Sequence, residues 1–125
     1  RHRIVKPPAA WRDTPAESLC ALDSLTEPVA FFTSSAAEAA ARFPKNANVA
    51  MTIALAGIGP DRTEITLVAD PEATTNRHEI HASGAFGQLD VAIANEPLPS
   101  NPKTSAMAAL NLARAIEHRV NTVVV

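Results

Sequence analysis

From residue 64 to residue 93 the chain repeats one pattern three times. Ile65, Leu67 and Ala69 alternate with Glu64, Thr66 and Val68. Ile80, Ala82, Gly84 and Phe86 alternate with Glu79, His81 and Ser83. Leu89, Val91 and Ile93 alternate with Gln88 and Asp90. A period of two puts successive side chains on opposite faces, which is the geometry of a pleated strand and not of a helix. Gly84-Ala85-Phe86-Gly87 reads as the hairpin connection between the last two strands. Three such strands predict an antiparallel sheet with one covered face.

The rest of the chain supplies shorter elements. Arg3 to Lys6 reads as a strand stopped by Pro7-Pro8. Thr14, Pro15 and Glu17 form a capping box that predicts a helix to about Leu22 or Leu25. Pro28 to Phe32 reads as a buried strand. Ser34 or Ser35 caps a helix that ends before Pro44. Asn46 and Asn48 are candidate N-caps of a helix from Asn48 to Ala56, with Val49, Ile53 and Ala56 on one face and Gly57 as C-cap. After Pro97, Pro99 and Pro102, a long helix is predicted from Thr104 to His118, with Met107, Leu110, Ala113 and Ile116 as its stripe. Val120 to Val125 reads as a strand or extended tail. The fold class implied is α+β: an antiparallel or mixed sheet with helices packed on one face.

A chain of 125 residues with 46% hydrophobic and 19% charged residues is one domain able to bury a core. Aromatics are only 4%, so packing must lean on Ala, Val, Leu and Ile. A net charge of −2 argues against a nucleic-acid surface. No run approaches the length of a membrane span. The single Cys20 excludes an internal disulfide and suits a reducing, cytoplasmic setting. The chain opens on Arg-His-Arg, with no apolar signal segment and no Met, as a piece lying inside a longer protein does.

Three segments can carry chemistry. His78 shares strand parity with Ile80 and Ala82, so it points to the covered face while Glu79 and His81 point away. There it is either a general acid or base, with a pKa near working pH, or a core histidine held by one hydrogen bond. His81 lies on the opposite face. With one Cys and no clustered carboxylates, no metal site is expected. Lys45-Asn46-Ala47-Asn48 precedes a helix start, where it either caps or holds a polar cofactor group. Lys103, Thr104 and Ser105 also open a predicted helix, as caps or as an anion site for a carboxylate. Gly57-Ile58-Gly59 meets Pro60 and makes no phosphate loop.

Several longer motifs in order resemble the C-terminal half of L-aspartate dehydrogenases. They are Phe43-Pro44-Lys45-Asn46-Ala47-Asn48-Val49-Ala50, Ala56-Gly57-Ile58-Gly59, Asp61-Arg62-Thr63, Ala69-Asp70-Pro71, Asn76-Arg77-His78-Glu79-Ile80, and Pro97-Leu98-Pro99 with Asn101-Pro102-Lys103-Thr104-Ser105. The resemblance runs from about Lys6 to Val120. It implies an oxidoreductase that uses NAD or NADP to oxidise L-aspartate to iminoaspartate, which hydrolyses to oxaloacetate and ammonia or feeds NAD biosynthesis. It places the active-site histidine on His78 and a dinucleotide-contacting asparagine on Asn48. It makes Lys103, Thr104 and Ser105 a candidate substrate-binding group. The implied fold resembles the C-terminal domain of dihydrodipicolinate reductases, with a sheet that serves a homodimer. Residues 1–44 then continue from a Rossmann domain, and 45–125 form the substrate and dimerisation core.

That Rossmann half is not in this sequence, and roughly 120 further residues would be needed to supply it. Two other classes stay open: a non-catalytic oligomerisation or binding module, and a related amino-acid or dihydrodipicolinate-type reductase.

Overall fold

The computed structural model describes residues 1–98 and 101–105. Two compact units divide the chain, Arg1–Ala94 and Asn95–Val125. The first is built on a mixed five-stranded sheet. Its strands are β1 (His2–Lys6), β2 (Val29–Ser35), β3 (Glu64–Ala69), β4 (Asn76–Gly84) and β5 (Gly87–Asn95), in the order β2-β3-β1-β4-β5. β1 is the centre, parallel to β3 and antiparallel to β4. A parallel pair needs a crossover. That crossover carries α1 (Ala36–Arg42) and α2 (Asn48–Ala56). The α+β class and the mixed sheet are therefore as the sequence implied. The N-terminal 44 residues contribute β1, β2 and α1 to this same unit.

The register fixes the faces. Ile4 lies opposite Leu67 on one side and His78 on the other; His2 lies opposite Ile65 and Ile80. These residues and Lys6 therefore share one face. It is the covered one: Ile4, Ile65, Leu67 and Ala69 belong to a single buried cluster with Ala36, Ala39, Ala47, Ala50 and Ala54. Arg3 and Glu79 face the other way and form an ion pair at 3.2 Å.

Few aromatics do not mean an aromatic-free core. A bulge in β2 between Ala30 and Phe32 breaks the alternation, so both Phe31 and Phe32 pack on the cluster. Phe31 meets the Trp11 ring edge-on at 4.9 Å, and Phe32 meets Phe43 at 5.0 Å. The Trp11 indole N–H donates to the Val68 carbonyl at 3.0 Å, which satisfies its one buried polar atom.

Several local expectations change. Thr14 does cap, accepting from the Ala16 N–H with Pro15 at the first position, but only a 3-10 turn, Pro15–Ser18, follows. Glu17 reaches back to the Asp13 N–H at 3.3 Å, not to Thr14. That turn buries only Ala16, too little apolar surface to sustain further turns. Ser35 is the cap of α1, its hydroxyl accepting from the Glu38 N–H. In α2 the buried face is Ala47, Ala50 and Ala54; Val49 is 45% exposed. Methyl-sized side chains let α2 sit close to the alanines of α1, and the larger residues turn outward. The N-cap position of α2 is Ala47, whose methyl group has nothing to accept with, and the neighbouring Asn46 accepts from Lys6 and does not cap. Gly57 closes α2 as expected, while the left-handed conformation falls on Gly59, at φ 93°.

The second unit shows a two-stranded sheet of β6 (Pro97–Leu98) and β7 (Asn101–Ser105). Pro97 pairs with Ser105 and Leu98 with Asn101. The expected helix start at Thr104 is therefore strand. Proline disfavours helical backbone in the residue before it, and Pro97 and Pro102 favour extended backbone at these two strands. The rest of that helix and the Val120–Val125 tail lie outside the described residues.

Candidate active site on the covered face

The site assembles around β1. His78 comes from β4 and is 6% exposed; His2 comes from β1 and is 1% exposed. His2 Nε2 and His78 Nδ1 are 3.0 Å apart, so one ring donates and the other accepts. The rings stand 5.2 Å apart, tilted by 40°. His2 Nδ1 is buried without a partner among the described residues. Lys6 follows on the same face. Its ammonium donates to Asn46 Oδ1 at 2.9 Å and lies 5.2 Å from the centre of the Trp11 ring.

The electrostatics follow from burial. Loss of solvent, and then the Lys6 charge, push the His78 imidazole down to about 4. Loss of solvent, and then the neighbouring His78, do the same to His2, also to about 4. Burial lowers the Lys6 ammonium as well. At neutral pH both rings are thus uncharged and joined by one hydrogen bond, beside a cation. Such a group can take or give one proton. Among the described residues no three His, Cys, Asp or Glu side chains gather as a metal site. None of the described helices is long and apolar enough to cross a membrane.

The residues singled out from sequence fall in different places. His78 sits on the covered face, with His2 as its side-chain hydrogen-bonding partner among the described residues. Asn48 is the first residue of α2 and is exposed. The amide that reaches toward the histidines' side of the sheet is Asn46, through Lys6. Lys103, Thr104 and Ser105 lie on β7 in the second unit. Sequence reading passed over His2 and Lys6. The signal available was parity: residues 2, 4 and 6 share a face. That β1 pairs with β4, next to His78, is written in no local pattern.

The family model described as aspartate dehydrogenase, C-terminal, matches residues 1–119. The chain belongs to this family. An L-aspartate dehydrogenase of Brucella anthropi is 56% identical over 124 residues, covering 99% of this chain and 46% of the relative. One from Acinetobacter baumannii is 50% identical over 118 residues, covering 94% of this chain and 45% of the relative. The crystal structure of the aspartate dehydrogenase of Thermotoga maritima superposes with a TM-score of 0.71 at 26% identity, over 100% of this chain and 45% of that one. The chain thus spans a little under half the length of the aspartate dehydrogenases it matches.

Proposed function

We propose that this chain forms the substrate-facing part of an NAD(P)-dependent L-aspartate dehydrogenase, completed by a dinucleotide-binding domain on the remaining length. The observation that carries the reading is the 56% identity to an L-aspartate dehydrogenase over 99% of the chain. The covered face fits it chemically. A neutral imidazole and an ammonium side by side suit a substrate that carries both a proton to be removed and carboxylates.

The dinucleotide supplies the hydride acceptor. What these residues offer it is limited: the exposed Asn48 amide at the start of α2, and no glycine-rich phosphate loop anywhere in the chain. Asn48 would contact the dinucleotide. His78, uncharged at neutral pH, would take a proton from the substrate ammonium or from the water that attacks the imine. The hydrogen bond to His2 fixes which of its nitrogens is free to do so. The resemblance to the family also makes Lys103, Thr104 and Ser105 candidates for binding a substrate carboxylate. The product, iminoaspartate, would pass to oxaloacetate and ammonia or to NAD biosynthesis in the cytoplasm, and the enzyme would act as a homodimer.

The test is His78→Ala in the two-domain enzyme. Aspartate-dependent reduction of the dinucleotide should fall by about two to four orders of magnitude, the usual contribution of a positioned acid–base group. Dinucleotide affinity should hardly change. Turnover equal to the parent's would remove His78 from the mechanism.

A further inference from the structure

Among the described residues Lys6 is a cation without an anion. Arg3, Arg12 and Arg77 each pair with a carboxylate. Lys6 makes no ion pair among the described residues. Its ammonium has three donors, and Asn46 Oδ1 takes one. The side chain is half-buried, between Trp11 below it and the loop that joins α1 to α2. Taking an ammonium partly out of water without a counter-charge costs stability. A methionine would fill the same space beside Trp11 without that cost. The position is also chosen: Lys6 lies two residues along β1 from Ile4, which faces His78 directly, and on the same side of the sheet.

We propose that Lys6 binds a carboxylate of the amino-acid substrate next to His78, and that Asn46 holds the ammonium in place for it. The inference rests on the aspartate dehydrogenase reading given above. Lysine acts here as a point charge, so it receives one carboxylate oxygen with its two unused donors. Asn46 is a positioning residue: its amide oxygen ties the tip of Lys6 to the α1–α2 loop without neutralising it. An aspartate at position 46 would neutralise it, by supplying from within the protein the anion that the substrate otherwise brings.

Two variants of the two-domain enzyme test this. Lys6→Gln should raise the KM for L-aspartate by roughly 10- to 100-fold, the range for losing a hydrogen bond to a charged group. The KM for the dinucleotide should stay within about threefold, as expected if Lys6 serves aspartate alone. Asn46→Asp should raise the aspartate KM in the same direction while the melting temperature stays level or rises. If Lys6 is only a strut between β1 and the loop, Asn46→Asp strengthens the strut and leaves the aspartate KM alone. Melting curves and dinucleotide binding show that each variant is folded; should Lys6→Gln not fold, Asn46→Asp decides by itself. An active parent whose Asn46→Asp variant keeps its aspartate KM overturns the role of Lys6 alone. A parent inert towards aspartate overturns the functional reading and this inference with it.

Discussion

His78 shows how one residue changes meaning with its neighbours. Its strand parity points it inward, and inward is where a histidine is either structural or catalytic. The neighbour is His2, seventy-six positions away in the chain and 3.0 Å away across β1 and β4. Both rings have folded-state pKa values near 4, below the 6.5 of an exposed histidine. Between those values the unfolded chain binds protons that the folded chain refuses. Stability is therefore full above pH 6.5 and is lost as pH falls toward 4. Urea unfolding should show a lower midpoint at pH 5 than at pH 7. In His78→Phe that difference should shrink, since one of the two refusing groups is gone. An unchanged pH dependence in that variant would mean that His78 is not held neutral by the fold.

At the level of elements, small residues decide the packing. α2 is apolar on nearly every side, so hydrophobicity alone does not say which face is buried. Ala47, Ala50 and Ala54 win because they allow the closest approach to Ala36 and Ala39. Ala50→Leu should then overpack the layer and cost about 1–3 kcal/mol. Val49→Thr, on the exposed side, should stay within about 0.5 kcal/mol. Thermal or urea denaturation of the pair checks which face is inside. The β4–β5 turn makes a second demand. Gly87 has φ 105°, where a side chain is strained, so Gly87→Ala should destabilise by about 1 kcal/mol or more. Gly84 is less demanding: a Cβ there would come within 3.0 Å of the Phe86 ring, but that ring is 72% exposed and has room to swing aside.

For the whole molecule the governing fact is length. The relatives it matches are about twice as long, at 45–46% coverage, and the chain carries no phosphate-binding glycine motif. On its own it should bind NAD or NADP weakly. Isothermal titration of these 125 residues should find no micromolar site; finding one would place a dinucleotide pocket in this half. Mixed with a separately expressed dinucleotide-binding domain, it should regain aspartate-dependent NADH formation, which a purely structural module would not.

Local sequence was enough for the strand alternation and the class of the fold, but not for the face of α2, where the spacing puts Val49 and Ile53 together and the structure buries Ala50 and Ala54. The alternation from Glu64 to Ile93, the hairpin at Gly84–Gly87, the Ser35 cap and the class of the fold all depend on residues within a few positions of each other. The inward aim of His78 was legible for the same reason. What only the tertiary structure decided is the company His78 keeps. β1 is five residues long, and nothing in His2 to Lys6 says that it lies between β3 and β4. Strand order is settled by the burial of a whole sheet and by the crossover through α1 and α2, an energy no short window contains. That placement sets His2 against His78, leaves Lys6 without an anion among the described residues, and makes Asn46 a clamp where the sequence alone suggested a helix cap.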